Sequence, residues 1–100
     1  MSIYDLLAHI HRRPGMYIVE PSIYRLQAFL TGYDAALGYV GLILQDEIGF
    51  HRFHDWVARR LGFFESTSGW ADMIRAKSAD DKEAFAQFFV LLEEFRNEGK

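Results

Sequence analysis

Cysteine is absent from the 100-residue chain. Its absence excludes disulfide bonds, a thiol nucleophile and the cysteine ligands of a structural zinc site. This usage is typical of a reducing compartment, and the first residues lack the charged start and apolar run of a signal peptide, so we expect a cytoplasmic protein. The apolar stretches are short and interrupted by glycine, and no segment is predicted to cross a membrane.

Positive charge is also scarce, since 11 Lys and Arg residues face 14 Asp and Glu residues, for a formal net charge of −3. A nucleic-acid-binding protein needs a basic face, so we do not expect a nucleic-acid partner. The basic pairs Arg12-Arg13 and Arg59-Arg60 lie at predicted helix ends, where the helix dipole favours cations. The acidic excess is compatible with a basic protein partner.

Apolar residues are abundant, and their spacing predicts helices. Half of the chain is hydrophobic and 16% is aromatic, which is enough for one dense core and indicates a single domain over residues 1–100. Apolar residues recur at steps of three and four from Ile23 to Leu44, which predicts a long helix buried along one face. Shorter stripes predict helices before Pro14, around residues 50–61, from Trp70 and near the end of the chain.

The predicted fold is therefore all-α, a single compact bundle of about five helices with one extended segment near residues 14–21. Pro14-Gly15 is a turn signal, and the short, apolar, β-branched stretch after it could form a strand but has no second strand to pair with, so we expect an extended buried segment. Ser22 and Ser78 are expected to cap helix N-termini, and Gly62 is expected to end a helix.

Two histidines are the strongest candidates for a catalytic or metal-binding role. His51 and His54 are three residues apart on a predicted helix, with Asp55 beside them, and could share a face. A metal-dependent or hydrolytic enzyme using these residues is one alternative function. A metal site needs at least a third ligand that the pattern does not place, so we predict no catalytic residue, metal or cofactor and favour a protein that is not an enzyme.

The polar loop before Trp70 and the acidic start of the last helix form the predicted partner-binding region. Loop residues carry function more often than core residues do. Hydroxyl and carboxylate side chains here suit a protein partner, although serine and threonine before a helix also cap it. The predicted partner-binding residues are Glu65, Ser66, Thr67, Asp72, Asp80, Asp81 and Glu83.

The segment Arg13–Ile18 resembles a segment near the start of the ATPase domain of DNA gyrase B and related type II topoisomerases. The similarity covers only those six residues. That family's nucleotide site needs a catalytic glutamate, an asparagine and glycine-rich segments, none of which has a counterpart here. We therefore do not expect ATPase activity.

A wider pattern resembles small bacterial immunity proteins of toxin and contact-dependent inhibition systems. It comprises residues 13–18, 22–33, 53–58, 65–70 and 88–89. The resemblance implies a protein that neutralises a cognate toxin, here a basic toxin domain, by stoichiometric binding. A helical regulatory or scaffold subunit, dimeric through an exposed aromatic patch, is a further alternative.

Overall fold

A computed structural model describes residues 3–39, 50–63 and 69–98 of the chain. These residues form six α-helices and one short 3-10 helix, with no strand among them, so the predicted all-α fold is confirmed. In chain order the elements are α1 (Ile3–Arg12), α2 (Pro14–Tyr17), α3 (Ile23–Tyr39), the 3-10 turn (Phe50–Arg52), α4 (Phe53–Leu61), α5 (Trp70–Ala76) and α6 (Asp81–Glu98). No helix in these ranges has both the length and the apolar character needed to cross a bilayer.

The segment after α1 corrects one prediction. Residues 14–17 form a short helix where an extended segment is expected, and Ile18 N–H donates to the Pro14 carbonyl at 2.8 Å. Proline suits the first turn of a helix, because its φ is already helical and its missing N–H would have no partner there. Only the residues after Tyr17 leave the helical conformation, and Ile18 is the buried anchor of this stretch.

Helix α3 begins where Ser22 predicts it. The Ser22 hydroxyl accepts the N–H of Arg25 at 3.2 Å, so the predicted cap is confirmed. Ile23, Leu26 and Leu30 are buried on one face, as the three-and-four spacing requires. The part of the predicted stripe that continues to Leu44 lies outside the described residues.

Aromatic rings fill the core between α4, α5 and α6. Phe53, at the start of α4, is fully buried and lies at the centre of this cluster. Its ring centroid is 5.4 Å from those of Phe88 and Phe95 on α6 and 6.0 Å from that of Trp70 on α5. These edge-to-face contacts add to the hydrophobic gain from burial, so a few large side chains stabilise three helices together.

Polar contacts fix α4 against α6 at the edge of this core. The indole N–H of Trp56 donates to a Glu98 carboxylate oxygen at 2.9 Å, and Arg60 pairs with Glu94 at 3.0 Å. Gly62 ends α4 in the left-handed conformation with φ of 83°, as the sequence predicts.

The start of α6 corrects the second predicted cap. The Ser78 hydroxyl donates to the Ile74 carbonyl at 2.8 Å and so completes the end of α5. Asp80 caps α6 instead, because its carboxylate accepts the Glu83 N–H at 2.8 Å. Glu83 in turn accepts the N–H of Ala79 at 3.0 Å, an arrangement close to a capping box.

Candidate functional site

Four of the seven predicted partner-binding residues lie within the described ranges, and contacts join them at one corner of the molecule. We call Tyr24, Asp72, Asp80, Asp81 and Glu83 the acidic corner. Hydrogen bonds link Asp81 to the start of α3, Asp80 to Glu83 and Tyr24 to Asp72. The other three predicted residues, Glu65, Ser66 and Thr67, lie outside the described residues.

Asp81 ties the first turn of α6 to the first turn of α3. One carboxylate oxygen accepts the Ile23 N–H at 2.7 Å, and the other accepts the Ser22 hydroxyl at 2.6 Å. The first N–H groups of a helix have no partner within the helix, and a carboxylate satisfies them and favours the positive end of the dipole. Asp81 is half-buried, and these two hydrogen bonds are sufficient to explain why an acidic residue occurs at this position.

Asp80 and Glu83 also serve the backbone, through the capping contacts at the start of α6. Both side chains are exposed. A carboxylate accepts several hydrogen bonds, so a capping carboxylate still offers acceptor positions to a partner. Asp80 and Glu83 therefore combine a structural role with an accessible negative charge.

Tyr24 and Asp72 differ from the other three residues of the corner because they hold no helix end. Tyr24 is 43% exposed, and its phenol shares a side-chain hydrogen bond with Asp72 in the first turn of α5. Partial burial of the phenol raises the pKa of Tyr24 above its ordinary value, and the hydrogen bond and negative charge of Asp72 raise it further. The Arg75 guanidinium acts in the opposite direction. The phenol thus stays neutral at physiological pH.

The described residues do not bring together the side chains that an enzyme using His51, His54 and Asp55 would need. His54 is half-buried and Asp55 is exposed on α4, while the side chain of His51 lies outside the described residues. No group of three or more histidine, aspartate and glutamate side chains that could hold a metal occurs in residues 3–39, 50–63 and 69–98. The enzymatic alternative remains an untested hypothesis.

A second polar surface lies where α1 meets α2. The sequence pattern did not predict it as a binding site. His9, Arg12, Arg13, Met16 and Tyr17 line an open cleft of about 300 Å³, which we call the cationic cleft. An Arg12 terminal nitrogen lies 2.9 Å from the Nδ1 atom of His9, and an Arg13 terminal nitrogen lies 4.0 Å from the Met16 sulfur.

Among the described residues, the two guanidinium groups of the cationic cleft tie no second helix to α1. Within the described ranges, neither Arg12 nor Arg13 forms an ion pair with a carboxylate. His11, two residues from His9, points elsewhere and stacks on Phe89 of α6 with ring centroids 3.9 Å apart. The helix dipole explains why cations occur at the end of α1 but does not predict that a cleft gathers them.

Residues 16–19 include two large apolar side chains that are exposed. Met16 is 69% exposed and Val19 is 74% exposed. Val19 has a φ of 74°, and the Glu20 N–H donates to the Ile18 carbonyl across it at 2.8 Å. This is a γ-turn with positive φ at its centre, an unusual conformation for a β-branched residue.

Comparison with known proteins finds no matching family model, curated protein or solved structure. The acidic corner and the cationic cleft differ in charge and in how their polar groups are engaged.

Proposed function

We propose that this chain is a non-enzymatic protein-binding domain that binds a basic partner at the acidic corner. The observation that carries the proposal is the half-exposed Tyr24, which is hydrogen-bonded to Asp72 and feels the negative charge of Asp81 as well. Tyrosine is enriched among the residues that dominate binding energy, because it offers a large apolar ring and a polar group at low entropic cost. The carboxylates around it supply the complementary charge for a basic surface.

The rigidity of the corner supports the same function. Asp80, Asp81 and Glu83 are held by hydrogen bonds to backbone or side-chain groups of helix ends. Side chains that are already ordered lose less conformational entropy when a partner binds. The corner therefore presents a preorganised set of acceptors around one aromatic side chain.

The partner that we propose is a toxin domain, neutralised by stoichiometric binding in the manner of an immunity protein. The resemblance of the sequence to immunity proteins motivates this choice. An overall net charge of −3 and a carboxylate-rich corner suit a basic toxin surface, since opposite charge speeds association and disfavours other partners.

Affinity capture from the native host, with the full chain as bait, tests the proposal. Wild-type protein is compared with the double variant Tyr24→Ala/Asp72→Asn and with Val90→Ser, which alters an exposed apolar residue of α6 away from the corner. We expect a basic protein to be captured by the wild type and by Val90→Ser but not by the double variant. Recovery of no stable partner, or capture that the double variant leaves unchanged, would contradict the proposal.

The toxin assignment needs a separate measurement. The captured protein is produced alone and together with this chain, and the growth of the producing cells is followed. We expect growth arrest that co-production relieves, and a complex of one copy of each chain by mass. A captured protein that is harmless to cells would retain the binding function and remove the immunity assignment.

A further inference from the structure

We infer that the cationic cleft is a second binding site, which takes the carboxylate of an acidic peptide segment and contacts an apolar side chain next to it. The site lies at α1 and α2, on different residues from the acidic corner. It does not depend on the proposed function, because its evidence comes from His9, the arginine pair and the γ-turn alone.

The donors of the cleft match a carboxylate. Arg12 and Arg13 present two planar guanidinium groups, each able to donate two parallel hydrogen bonds to the oxygens of one carboxylate. Because the Arg12 N–H donates to the Nδ1 atom of His9, the ring proton of the neutral imidazole lies on Nε2. His9 thus adds a third donor group to the two guanidinium groups.

No described carboxylate competes for these donors. Elsewhere on the surface, Arg25 pairs with Glu20 at 3.4 Å and Arg60 pairs with Glu94 at 3.0 Å. Arg12 and Arg13 form no such pair in the described parts of the chain, and Arg12 instead spans one helical turn to the His9 ring. An arginine pair that stabilises no tertiary contact, yet lines a cleft, is available for an external anion.

A strained γ-turn at Val19 lies close in sequence to the cleft and does not involve the charged groups of the cleft. A β-branched residue with positive φ is strained, and such strain persists only where neighbouring contacts impose it. Here Ile18 is buried on one side, and the Ser22 cap of α3 fixes the chain on the other. Since the Val19 side chain is 74% exposed, packing of that side chain does not offset the strain.

This turn leaves an exposed apolar side chain close in sequence to the cationic cleft. Met16 lines the cleft itself, and Val19 is exposed three residues further along the same segment. Anion-binding donors beside exposed apolar side chains fit a ligand in which a carboxylate and an apolar group are neighbours. An aspartate or glutamate next to a leucine or similar residue is the simplest peptide with that chemistry.

The shape and charge of the cleft favour a peptide over an anionic lipid surface. A concave volume of about 300 Å³ admits a single side chain, whereas a bilayer presents a broad surface. Segments that bind anionic lipids by charge carry roughly four to eight lysine or arginine residues, and this site has two.

Nuclear magnetic resonance titration of the full chain tests the inference with four probes. These are N-acetyl-Leu-Glu-amide, its uncharged analogue N-acetyl-Leu-Gln-amide, inorganic phosphate, and vesicles containing phosphatidylserine. We expect the glutamate peptide to shift amide signals within residues 9–20 and the glutamine peptide to bind at least about tenfold more weakly. Phosphate should shift the signals of the arginine pair and His9 but not those of Met16 and Val19.

Matched variants separate the cleft from general charge effects. Arg12→Gln should weaken binding of the glutamate peptide about tenfold, since it removes one charged donor pair. Arg59→Gln, at the corresponding end of α4, should leave binding unchanged. Met16→Ser should weaken the glutamate peptide but not phosphate. The amide spectrum of each variant shows whether it is folded.

Three results would overturn the inference. They are equal binding of the glutamate and glutamine peptides, unchanged binding by a folded Arg12→Gln variant, and binding to vesicles without binding to either soluble anion. Loss of the basic partner in the capture experiment would leave this inference intact, because the two experiments use different residues.

Discussion

The acidic corner and the cationic cleft are both rich in charge, yet their charged groups are used in opposite ways. At the corner, Asp80, Asp81 and Glu83 accept hydrogen bonds from helix ends, and Asp81 ties α6 to α3. At the cleft, the polar contact of Arg12 within the described residues is with a histidine on its own helix, and Arg13 approaches a methionine three residues away. The carboxylates at the corner hold helix ends, whereas the guanidinium groups at the cleft form no ion pair in the part of the chain that the structure describes.

This difference teaches that exposure alone does not identify a binding residue. Asp80 and Arg12 are both exposed, but only Asp80 caps a helix. Substitution of a capping residue is expected to cost stability, whereas substitution of an exposed residue without tertiary contacts usually changes stability by less than about 0.5 kcal/mol. Stability measurements therefore separate the two classes.

Among single substitutions, the largest change in the free energy of unfolding is expected at Asp81. Asp81→Ala should lower the free energy of unfolding by about 2 kcal/mol, because two hydrogen bonds to a charged acceptor are lost and the Ile23 N–H is left without its partner. Urea denaturation measures the change, and Lys82→Ala, at the exposed neighbouring position, is the control. A cost for Asp81→Ala as small as that of the control would remove the structural role of the corner.

A smaller change in the free energy of unfolding, of opposite sign, is expected at Val19. Val19→Gly should raise the free energy of unfolding by about 1 kcal/mol, because glycine adopts positive φ without strain and little packing is lost. Gly62→Ala, which adds a side chain at a φ of 83°, should lower stability by about the same amount. If Val19→Gly instead destabilises the chain, the strain attributed to the γ-turn is absent.

The smallest effect concerns the pKa of Tyr24. Asp72→Asn should lower this pKa toward its ordinary value, because it removes the negative charge beside the phenol and leaves the effect of burial with the smaller, opposing effects of Arg75 and Asp81. A raised folded-state pKa contributes stability below the unfolded value, and that contribution is lost as the pH rises through the folded pKa. The variant should therefore lose less stability than the wild type on the alkaline side.

Titration of the Tyr24 ring carbons by nuclear magnetic resonance checks the pKa prediction. Asp80→Asn is the matched control, since it preserves a capping side chain and lies outside the groups that affect Tyr24. An unchanged Tyr24 titration in Asp72→Asn would mean that the two side chains are not in contact in solution.

Much of the fold could be predicted from the sequence, because helix burial depends on local spacing. The apolar periodicity places α1, α3, α4, α5 and α6, and Ser22 and Gly62 mark two of their ends correctly. The two errors concern residues with more than one good local solution. Pro14 starts a helix as readily as it ends one, and Asp80 competes with Ser78 as a cap.

The candidate surfaces could be predicted only in part, since they depend on how distant segments meet. Acidic residues at a helix start are visible in the sequence, but the contact of Asp81 with Ser22, 59 residues apart, is tertiary. The cationic cleft escapes sequence analysis because the helix dipole already explains cations at the end of α1. The proline–glycine signal at its edge is consistent with a turn and gives no indication of the γ-turn at Val19.

The most direct test compares two charge-removing double variants by urea denaturation. Arg12→Gln/Arg13→Gln should keep the free energy of unfolding within about 0.5 kcal/mol of the wild type, because these side chains form no ion pair within residues 3–39, 50–63 and 69–98. Asp80→Ala/Asp81→Ala should lose about 3 kcal/mol through two caps and an interhelix contact. An arginine variant that loses more than about 1 kcal/mol, or an acidic variant as stable as the wild type, would contradict this division of roles.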